Sequence, residues 1–335
     1  MKKLSLLLPF ILLLSACFKD QQDPLATAGK KRLWIINEGN FQWGNASLSL
    51  YDLASEKLVH VKQFEQNNGF PIGDVFQSMI RYNNQFYLVV NNSGKIHVCD
   101  ADMKYQRSID QLGSPRYLMP YGTGKALLSD LYSNTLKILD LQNGTVAQTL
   151  SFPGWGEKLF SDGDKIWACN LKSRKLFRFD TQTEQLSDSL DIGYAATTLV
   201  KDAQNRNWVL AKGDTAQQIK PRLSRLSADG KQVEQYYELD LSQASDMVYD
   251  PSGNRFIILA EDLYTFSETQ GLSAQALVPS NNRNLYAIAL VEEELFVADA
   301  VDYVQKGQVY RYNLNGTLLG NFGVGPIPNG FLFDN

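Results

Sequence analysis

Two residue types that build many catalytic and metal sites are scarce in this chain. It has 335 residues but only 2 His and 3 Cys. Two imidazoles exclude a site built on several histidines, and three thiols exclude both a disulfide framework and a four-thiolate zinc site. Charged residues make up 20 % of the sequence, and the net charge is -4. This charge gives no electrostatic reason to expect nucleic acid as a partner.

Long apolar runs are also missing, with one exception at the start of the chain. Two lysines precede an apolar stretch over residues 4–14, which is too short to span a bilayer but fits the core of a secretory signal peptide. The motif LSAC (14–17) follows directly and resembles a bacterial lipobox. We therefore expect residues 1–16 to be a lipoprotein signal peptide and Cys17 to carry a lipid. The alternative is an ordinary signal peptide followed by a chance cysteine.

The segment after this motif predicts a tether and a cellular location. Residues 17–32 are mostly polar, contain one proline and lack periodicity, which is typical of a flexible linker between a membrane and a domain. Asp20 and Asp23 come soon after the cysteine and loosely resemble the surface-export signal of Bacteroidota lipoproteins. The expected location is the outer membrane, with the lipid on Cys17 holding the domain at the cell surface. The periplasmic face of that membrane is the alternative.

Beyond residue 32 helical periodicity is almost absent, and a unit of about 40 residues occurs seven times. Each unit holds an apolar strand that ends in a polar residue, as in LWIIN (33–37). An alternating strand that ends in a turn residue follows, as in SLSLYD (47–52). Successive ends of the second kind are 48, 40, 40, 47, 40 and 46 residues apart. With one strand before and one after, each unit has the four antiparallel strands of a propeller blade. The predicted fold is an all-β, seven-bladed β-propeller over residues 33–335.

The two ends of the repeat array predict how the ring closes. The first unit lacks its leading strand, whereas an extra strand, GFLFD (330–334), follows the last unit. We expect this C-terminal strand to complete the first blade, which leaves no open sheet edge. A pair of packed β-sandwiches is the alternative architecture, and the repeat spacing and the matching ends disfavour it.

The loops on one face of such a ring are the expected place for function. The loops after the apolar strands and the loops that enter the next blade share this face. They are rich in Asn, Arg and aromatic residues, which offer hydrogen bonds and rigid contact area. We predict ligand contacts at Asn40, Phe41, Trp43, Asn92, Arg116, Tyr132, Trp155, Glu157, Lys172, Tyr194, Arg283 and Tyr303.

Other interpretations of the same loops stay open. The loop aromatics could pack between blades, as Trp34, Trp167 and Trp208 within strands are expected to do, and many asparagines could serve turns. Polar residues at strand ends could also hold a central metal ion, as in propellers that hydrolyse lactones, or they could simply accept hydrogen bonds from loop amides. These residues are Glu38, Asn91, Asp130, Asn170, Glu261 and Asp299. We expect a binding protein without a metal or other cofactor, and a metal-dependent lactonase or lyase is the alternative.

The remaining histidines and cysteines read as structural residues. His97 alternates within an apolar strand, and His60 is expected on an outer strand. Cys99 and Cys169 fall in the second and fourth units, which do not touch in a ring. Because a disulfide needs Cα atoms within about 7 Å, we expect two free buried thiols.

Several segments in combination resemble the YncE-like and surface-layer β-propellers, and the resemblance covers residues 33–335. The segments are EGNF (38–41), GNASLSLYD (44–52), GDVFQSM (73–79), NNSGKIHVCD (91–100) and SPRY (114–117). The resemblance extends to surface lipoproteins of Bacteroidota that capture cobalamin and hand it to a TonB-dependent outer-membrane transporter. It implies a binding protein for a corrinoid or another small ligand, with such a transporter as its partner. A protein–protein scaffold at the cell surface is the remaining alternative.

Overall fold

Short alternating stretches, separated by Asn, Asp and Gly turns, form 28 β-strands in the computed structural model, which describes residues 31–334. The strands pair antiparallel in seven sheets of four. These sheets are the blades of a seven-bladed β-propeller, which confirms the predicted fold. Each inner strand contacts the inner strand of the next blade, so that the ring is continuous.

The strands follow one another from the inside of each blade to its outside, except in blade 1. Blade 1 holds β1 (Arg32–Asn37), β2 (Ser47–Asp52) and β3 (Lys57–His60). Blade 2 holds β4 (Phe76–Tyr82), β5 (Gln85–Val90), β6 (Lys95–Cys99) and β7 (Tyr105–Ile109). Blade 3 holds β8 (Pro115–Tyr121), β9 (Lys125–Asp130), β10 (Thr135–Asp140) and β11 (Thr145–Ser151). Blade 4 holds β12 (Gly156–Asp162), β13 (Lys165–Asn170), β14 (Lys175–Asp180) and β15 (Gln185–Asp191).

The remaining blades repeat this order. Blade 5 holds β16 (Ala196–Lys201), β17 (Asn207–Ala211), β18 (Arg222–Leu226) and β19 (Val233–Glu238). Blade 6 holds β20 (Asp246–Asp250), β21 (Arg255–Leu259), β22 (Leu263–Ser267) and β23 (Gly271–Leu272). Blade 7 holds β24 (Leu285–Val291), β25 (Glu294–Asp299), β26 (Lys306–Asn313) and β27 (Leu318–Pro326), and β28 (Pro328–Asp334) follows it.

The C-terminal strand closes the ring, as predicted. β28 is the innermost strand of blade 1 and runs antiparallel to β1, with Leu332 opposite Trp34 and Asp334 opposite Arg32. It also contacts β24 of blade 7 and β4 of blade 2. The first blade is therefore built from both ends of the described chain.

The hydrophobic core lies between the blades. Seven apolar clusters each join one face of a blade to the facing side of the next. Trp34, Trp167 and Trp208 are fully buried in three of these clusters, as predicted. Cys99 and Cys169 are buried and unpaired, which confirms the expected free thiols. Burial raises the pKa of both thiols, that of Cys99 to about 12, so they stay protonated at neutral pH.

One short helix, α1 (Gln63–Asn68), interrupts the strand pattern before blade 2. Six residues are too few to show a helical period in the sequence, and the helix is held by burial of Phe64 against His97. His97 lies within β6, and its Nε2 is 2.8 Å from the Ile72 carbonyl oxygen. His60 ends the outer strand β3, as expected. Across residues 31–334, no helix has the length and apolar character needed to span a bilayer.

The strand directions give the ring two different faces. The loop face carries the loops between the second and third strands of each blade and the loops that enter the next blade. The turn face, on the opposite side, carries the other turns. The chain enters at the turn face, where the Lys31 amine pairs with Glu292 in the β24–β25 turn. Residues 1–16, Cys17 and most of the predicted tether lie outside the described residues, so their roles stay predictions.

Candidate functional site

The inner strands are irregular where they begin, at the loop face. In β4 the pairing with β5 skips from Phe76 to Ser78, so that no residue of β5 is paired with Gln77. Similar β-bulges leave two residues unpaired in β8 and two in β12. Bulges bend a strand locally and re-aim side chains, and they are frequent next to functional sites.

Six of the seven blades carry such a bulge at this place, and the exception is blade 6, whose β20 is regular. Most of the residues that these bulges leave unpaired form one polar group at the loop face. We define the axial cluster as this group together with Glu38 and Asp246. Its members are Glu38, Gln77, Arg116, Tyr117, Glu157, Lys158, Asp246, Tyr286 and Asn329.

Arg116 links three blades within the axial cluster. Its Nε and Nη2 donate to the two carboxylate oxygens of Glu157 at 2.9 and 2.6 Å, and its Nη1 donates to Gln77 Oε1. Glu157 is only 7 % exposed. Burial would lower the pKa of Arg116, but the Glu157 carboxylate outweighs it and raises the pKa further. This two-pronged ion pair fixes both side chains in one geometry.

Lys158 and Asp246 join two blades that are not neighbours. The Lys158 ammonium donates to Asp246 Oδ2 at 3.0 Å, from blade 4 to blade 6. A contact that bypasses blade 5 places both side chains at the mouth of the axial channel. Burial opposes the Lys158 charge, but Asp246 more than offsets it and raises the pKa of the ammonium.

Glu38 is the carboxylate of the axial cluster that lacks a cationic partner at hydrogen-bond distance. The Asn329 amide donates to Glu38 Oε1 at 2.8 Å, and no second side chain within residues 31–334 donates to this carboxylate. Burial raises the pKa of Glu38 to about 7, although the Arg116 charge and the Asn329 amide act against it. Burial and then the nearby Glu38 charge raise the pKa of the Tyr286 phenol. Glu38 is half-buried, so part of its side chain stays accessible to a ligand.

Backbone geometry holds Glu38 in place. Its N–H donates to the Ile327 carbonyl at 2.9 Å, and its carbonyl accepts from Phe76 N–H at 3.1 Å, which ties blade 1 to both neighbours. Gly39 follows with a φ of 75°, and a Cβ there would lie 2.4 Å from Ala46 N. Only glycine fits at this close approach, so the sequence Glu38-Gly39 aims the carboxylate at the axis.

The raised pKa of Glu38 gives a prediction for stability. The folded chain keeps a proton that the unfolded chain loses between pH 4.5 and about 7, so ionised Glu38 destabilises the fold as pH rises through this range. Glu38→Gln is expected to raise the free energy of unfolding by about 1–3 kcal/mol at pH 8 and to change it little at pH 4. Urea unfolding at both pH values measures this, with exposed Glu261→Gln as the control. An equal gain at both pH values would contradict the raised pKa.

Two exposed aromatic groups lie on the loop face, on either side of the axial cluster. The first, the 7/1 group, holds Phe41 and Trp43 from blade 1, 61 % and 67 % exposed, and the exposed Tyr303 from blade 7. The Asn40 amide donates to the Tyr303 carbonyl and joins the two loops. Tyr303 packs edge-on against Tyr286, with ring centroids 5.6 Å apart, which connects the 7/1 group to the axial cluster.

The second aromatic group, the 3/4 group, lies on the far side of the ring. Tyr132 is 64 % exposed and meets the half-buried Trp155 edge-to-face, with 5.6 Å between ring centroids. The Lys172 ammonium stands 4.2 Å from the centre of the Trp155 ring. Phe41, Trp43 and Tyr303 are thus exposed on the loop face rather than packed between blades, and Trp155 is partly exposed.

Three other predicted contact residues do not belong to these groups, although Asn92 shares its partner Asp74 with the Gln42 N–H in the blade 1 loop of the 7/1 group. Asn92 is exposed, and its amide donates to Asp74. Arg283 donates to the carbonyls of Ser280 and Pro279 and to the Tyr312 hydroxyl, so its guanidinium holds its own loop. Tyr194 is half-buried in the loop that enters blade 5. Their part in binding stays a prediction.

The sequence predicted contacts at Arg116 and Glu157 and offered Glu38 as a metal ligand, but it did not assign the six other members of the axial cluster to binding. Those are Gln77, Tyr117, Lys158, Asp246, Tyr286 and Asn329. The available signal was a break in the apolar alternation at the start of an inner strand. The GEK of residues 156–158 is one example. Each break marks a bulge, which can be recognised only when the pairing register is known.

The strand-end residues that could have held a metal ion mostly hold loops. Asp130 accepts from the backbone N–H groups of Tyr132 and Ser133, and Asp299 accepts from those of Asn284 and Val301. Asn91 and Asn170 donate to the Pro115 and Pro153 carbonyls, and Glu261 is exposed. Glu38 alone joins the axial cluster. In the part of the chain that the structure describes, no three His, Cys, Asp or Glu side chains are grouped as metal ligands.

Residues 31–229 match a family described as a domain of unknown function, DUF5074. The chain belongs to the DUF5074 family. None of the curated proteins matches the sequence. The DUF5074 match covers more than half of the chain and spans strands β1 to β18, which leaves out the C-terminal strand of blade 1.

Solved structures share the fold of this DUF5074 chain at low identity. A quinonprotein alcohol dehydrogenase-like protein from Bacteroides thetaiotaomicron has a TM-score of 0.73 at 14 % identity, covering 92 % of this chain and 80 % of its own. A candidate 6-phosphogluconolactonase from Bacteroides fragilis has a TM-score of 0.65 at 13 % identity, covering 93 % and 100 %. A protein from Lactobacillus plantarum has a TM-score of 0.67 at 11 % identity, covering 92 % and 100 %. Such identities show the shared propeller fold and nothing of the chemistry.

Proposed function

We propose that this propeller is a lipid-anchored binding protein outside the cytoplasm that captures a small ligand on its loop face. The observation that carries the proposal is the axial cluster, since bulges in six blades gather polar side chains at one end of the channel. A lactonase-like metal site would use the polar side chains at the strand ends. Most of these side chains hold loops in this protein, and we therefore propose binding rather than catalysis.

The two aromatic groups support a ligand that is wide and partly apolar. They stand on nearly opposite sides of the ring, in the loops of blades 7 and 1 and of blades 3 and 4. Exposed aromatic side chains of this size are typical of binding surfaces. A ligand that reached both groups would cover the axial cluster between them. The loops are already held by hydrogen bonds, so little ordering cost would oppose binding.

Cobalamin is the candidate ligand, and a TonB-dependent outer-membrane transporter is the candidate partner. Both follow from the resemblance to the cobalamin-capturing surface lipoproteins of Bacteroidota. A corrinoid is large, flat and fringed with carboxamides, which suits aromatic contact at the rim and hydrogen bonding at the centre. In this proposal the lipid on Cys17 keeps the propeller at the cell surface beside the transporter.

Calorimetric titration of purified residues 30–335 with cobalamin tests the proposal. We expect saturable binding at micromolar ligand, together with a change in the cobalamin absorption spectrum. Trp43→Ala and Trp155→Ala should each weaken binding about tenfold or more, because each removes a large rigid contact.

Tyr236→Ala is the matched control, since Tyr236 is an exposed aromatic residue on the outer strand β19, far from the axis. It should leave the affinity unchanged. The absence of heat and of any spectral change at micromolar cobalamin would exclude this ligand. An equal loss in the Tyr236 control would argue against the loop face.

A further inference from the structure

We propose that the axial cluster binds the ammonium group of an amine ligand, with Glu38 as its counter-ion. This inference depends on the proposed function only in placing the ligand on the loop face, and it specifies the chemistry of the group that enters the channel. It rests on three separate features of the axial cluster: its charge, its unused hydrogen-bonding groups and its aromatic walls.

The charge of the axial cluster favours a cation. It contains three carboxyl groups and two cationic groups. Glu157 is neutralised by Arg116, and Asp246 is neutralised by Lys158. Glu38 is left over and gives the site one excess negative charge when it is ionised. A ligand with a single positive charge would complete the balance, whereas an anionic group would meet an unpaired carboxylate.

The hydrogen-bonding groups that are unused within the protein also favour a cationic ligand. Arg116 uses three of its five N–H groups on Glu157 and Gln77, and the Glu157 carboxylate already neutralises its charge. The second oxygen of Glu38 accepts no hydrogen bond within the described chain. The Asn329 side-chain oxygen is buried and also lacks a partner there. These unpaired acceptors, on two residues that are hydrogen-bonded to each other, suit a ligand group that donates several hydrogen bonds, as an ammonium does.

The walls beside Glu38 are aromatic. Tyr286 is close enough to Glu38 to be influenced by its charge, and it packs edge-on against the exposed Tyr303. Aromatic faces attract cations, and the attraction grows when the cation is partly desolvated. An amine ligand with an apolar body could therefore place its ammonium at Glu38 and its body over Tyr303 and the rest of the 7/1 group.

Three probes of the same shape and different head group test the proposal. They are benzylamine, which is a cation at pH 8, benzamide, which is a neutral N–H donor, and benzoate, which is an anion. Saturation-transfer NMR with the purified propeller at millimolar probe measures their binding. We expect benzylammonium to bind about tenfold more tightly than benzamide and benzoate not to bind.

Glu38→Gln should remove this preference and weaken benzylammonium binding about tenfold, because it removes the charge but keeps the shape. Glu293→Gln, which changes an exposed carboxylate in the β24–β25 turn on the opposite face, should have no effect. The expected stability gain of Glu38→Gln separates loss of binding from loss of folding, and a thermal melt of each variant checks this.

Equal binding of benzamide, binding of benzoate, binding of none of the probes or an unaffected Glu38→Gln variant would each overturn the proposal. Cobalamin binding without benzylammonium binding would leave the proposed function standing and remove this inference. Benzylammonium binding without cobalamin binding would support the axial site and exclude the corrinoid.

Discussion

Deletion of residues 328–334 is expected to abolish cooperative folding of the propeller. These residues form β28, which pairs along β1 and lies against the inner strands of both neighbouring blades. Phe331 packs into the core between blades 7 and 1, and Leu332 packs into the core between blades 1 and 2. Without them the ring opens at one seam, two cores face water and β1 becomes an exposed edge. The loss should exceed about 5 kcal/mol, which is comparable to the whole stability of many domains.

Circular dichroism and urea unfolding of the deletion variant measure this effect. The matched control is Phe333→Ala, since Phe333 lies on the same strand but is exposed. It should cost far less than Leu332→Ala, whose side chain faces the core. A synthetic peptide of residues 328–334, added to the truncated protein, should restore part of the cooperativity. A truncated protein that unfolds at the midpoint of the intact one would refute closure by β28.

Arg116→Ala is expected to destabilise the propeller by about 3–5 kcal/mol, because it leaves the buried Glu157 carboxylate without its cation. The change also removes the donor to Gln77 Oε1 and so loosens the contact between blades 2 and 3. Urea unfolding at neutral pH measures the loss. Ligand binding should fall in the same variant, since Gln77 and Glu157 would lose the side chain that fixes their positions in the axial cluster.

The double variant Arg116→Ala with Glu157→Gln separates charge from packing. Removing both charges should recover much of the lost stability, because no unpaired charge remains buried. Lys220→Ala is the surface control, since Lys220 and Asp240 form an exposed pair, and it should change stability by less than about 1 kcal/mol. A loss of that small size in Arg116→Ala would mean that the axial ion pair does not hold the blades.

The blades and their closure could be predicted because their signals are local. Alternation identifies a strand, and polar residues such as Asp52 and Asp140 mark where one strand ends and a turn begins. The first unit lacks one strand and an extra strand follows the last unit, so the sequence also predicts that these two strands pair. The exposure of Phe41 and Trp43 was predictable for the same reason, since both lie in a loop between two recognisable strands.

The axial cluster could not be predicted in the same way because the ring creates it. Lys158 and Asp246 are 88 residues apart, and nothing near either one indicates the other. Bulges decide which side chains face the channel, and a bulge shifts the strand by a single residue. The direction of a loop side chain is equally non-local, since nothing near Arg283 in the sequence indicates that its guanidinium donates to the Tyr312 hydroxyl, 29 residues away.

The entry of the chain at Lys31 on the turn face has a practical consequence for orientation. β1 rises through six residues, about 20 Å, before it reaches the loop face at Asn37. An attachment upstream of Lys31 therefore lies on the side of the turn face, and the axial cluster is directed away from it. A propeller that is biotinylated at its N-terminus and captured on a sensor chip will present the whole loop face to the flowing solution. Immobilisation through the loop face should instead block the axial cluster and the two aromatic groups together.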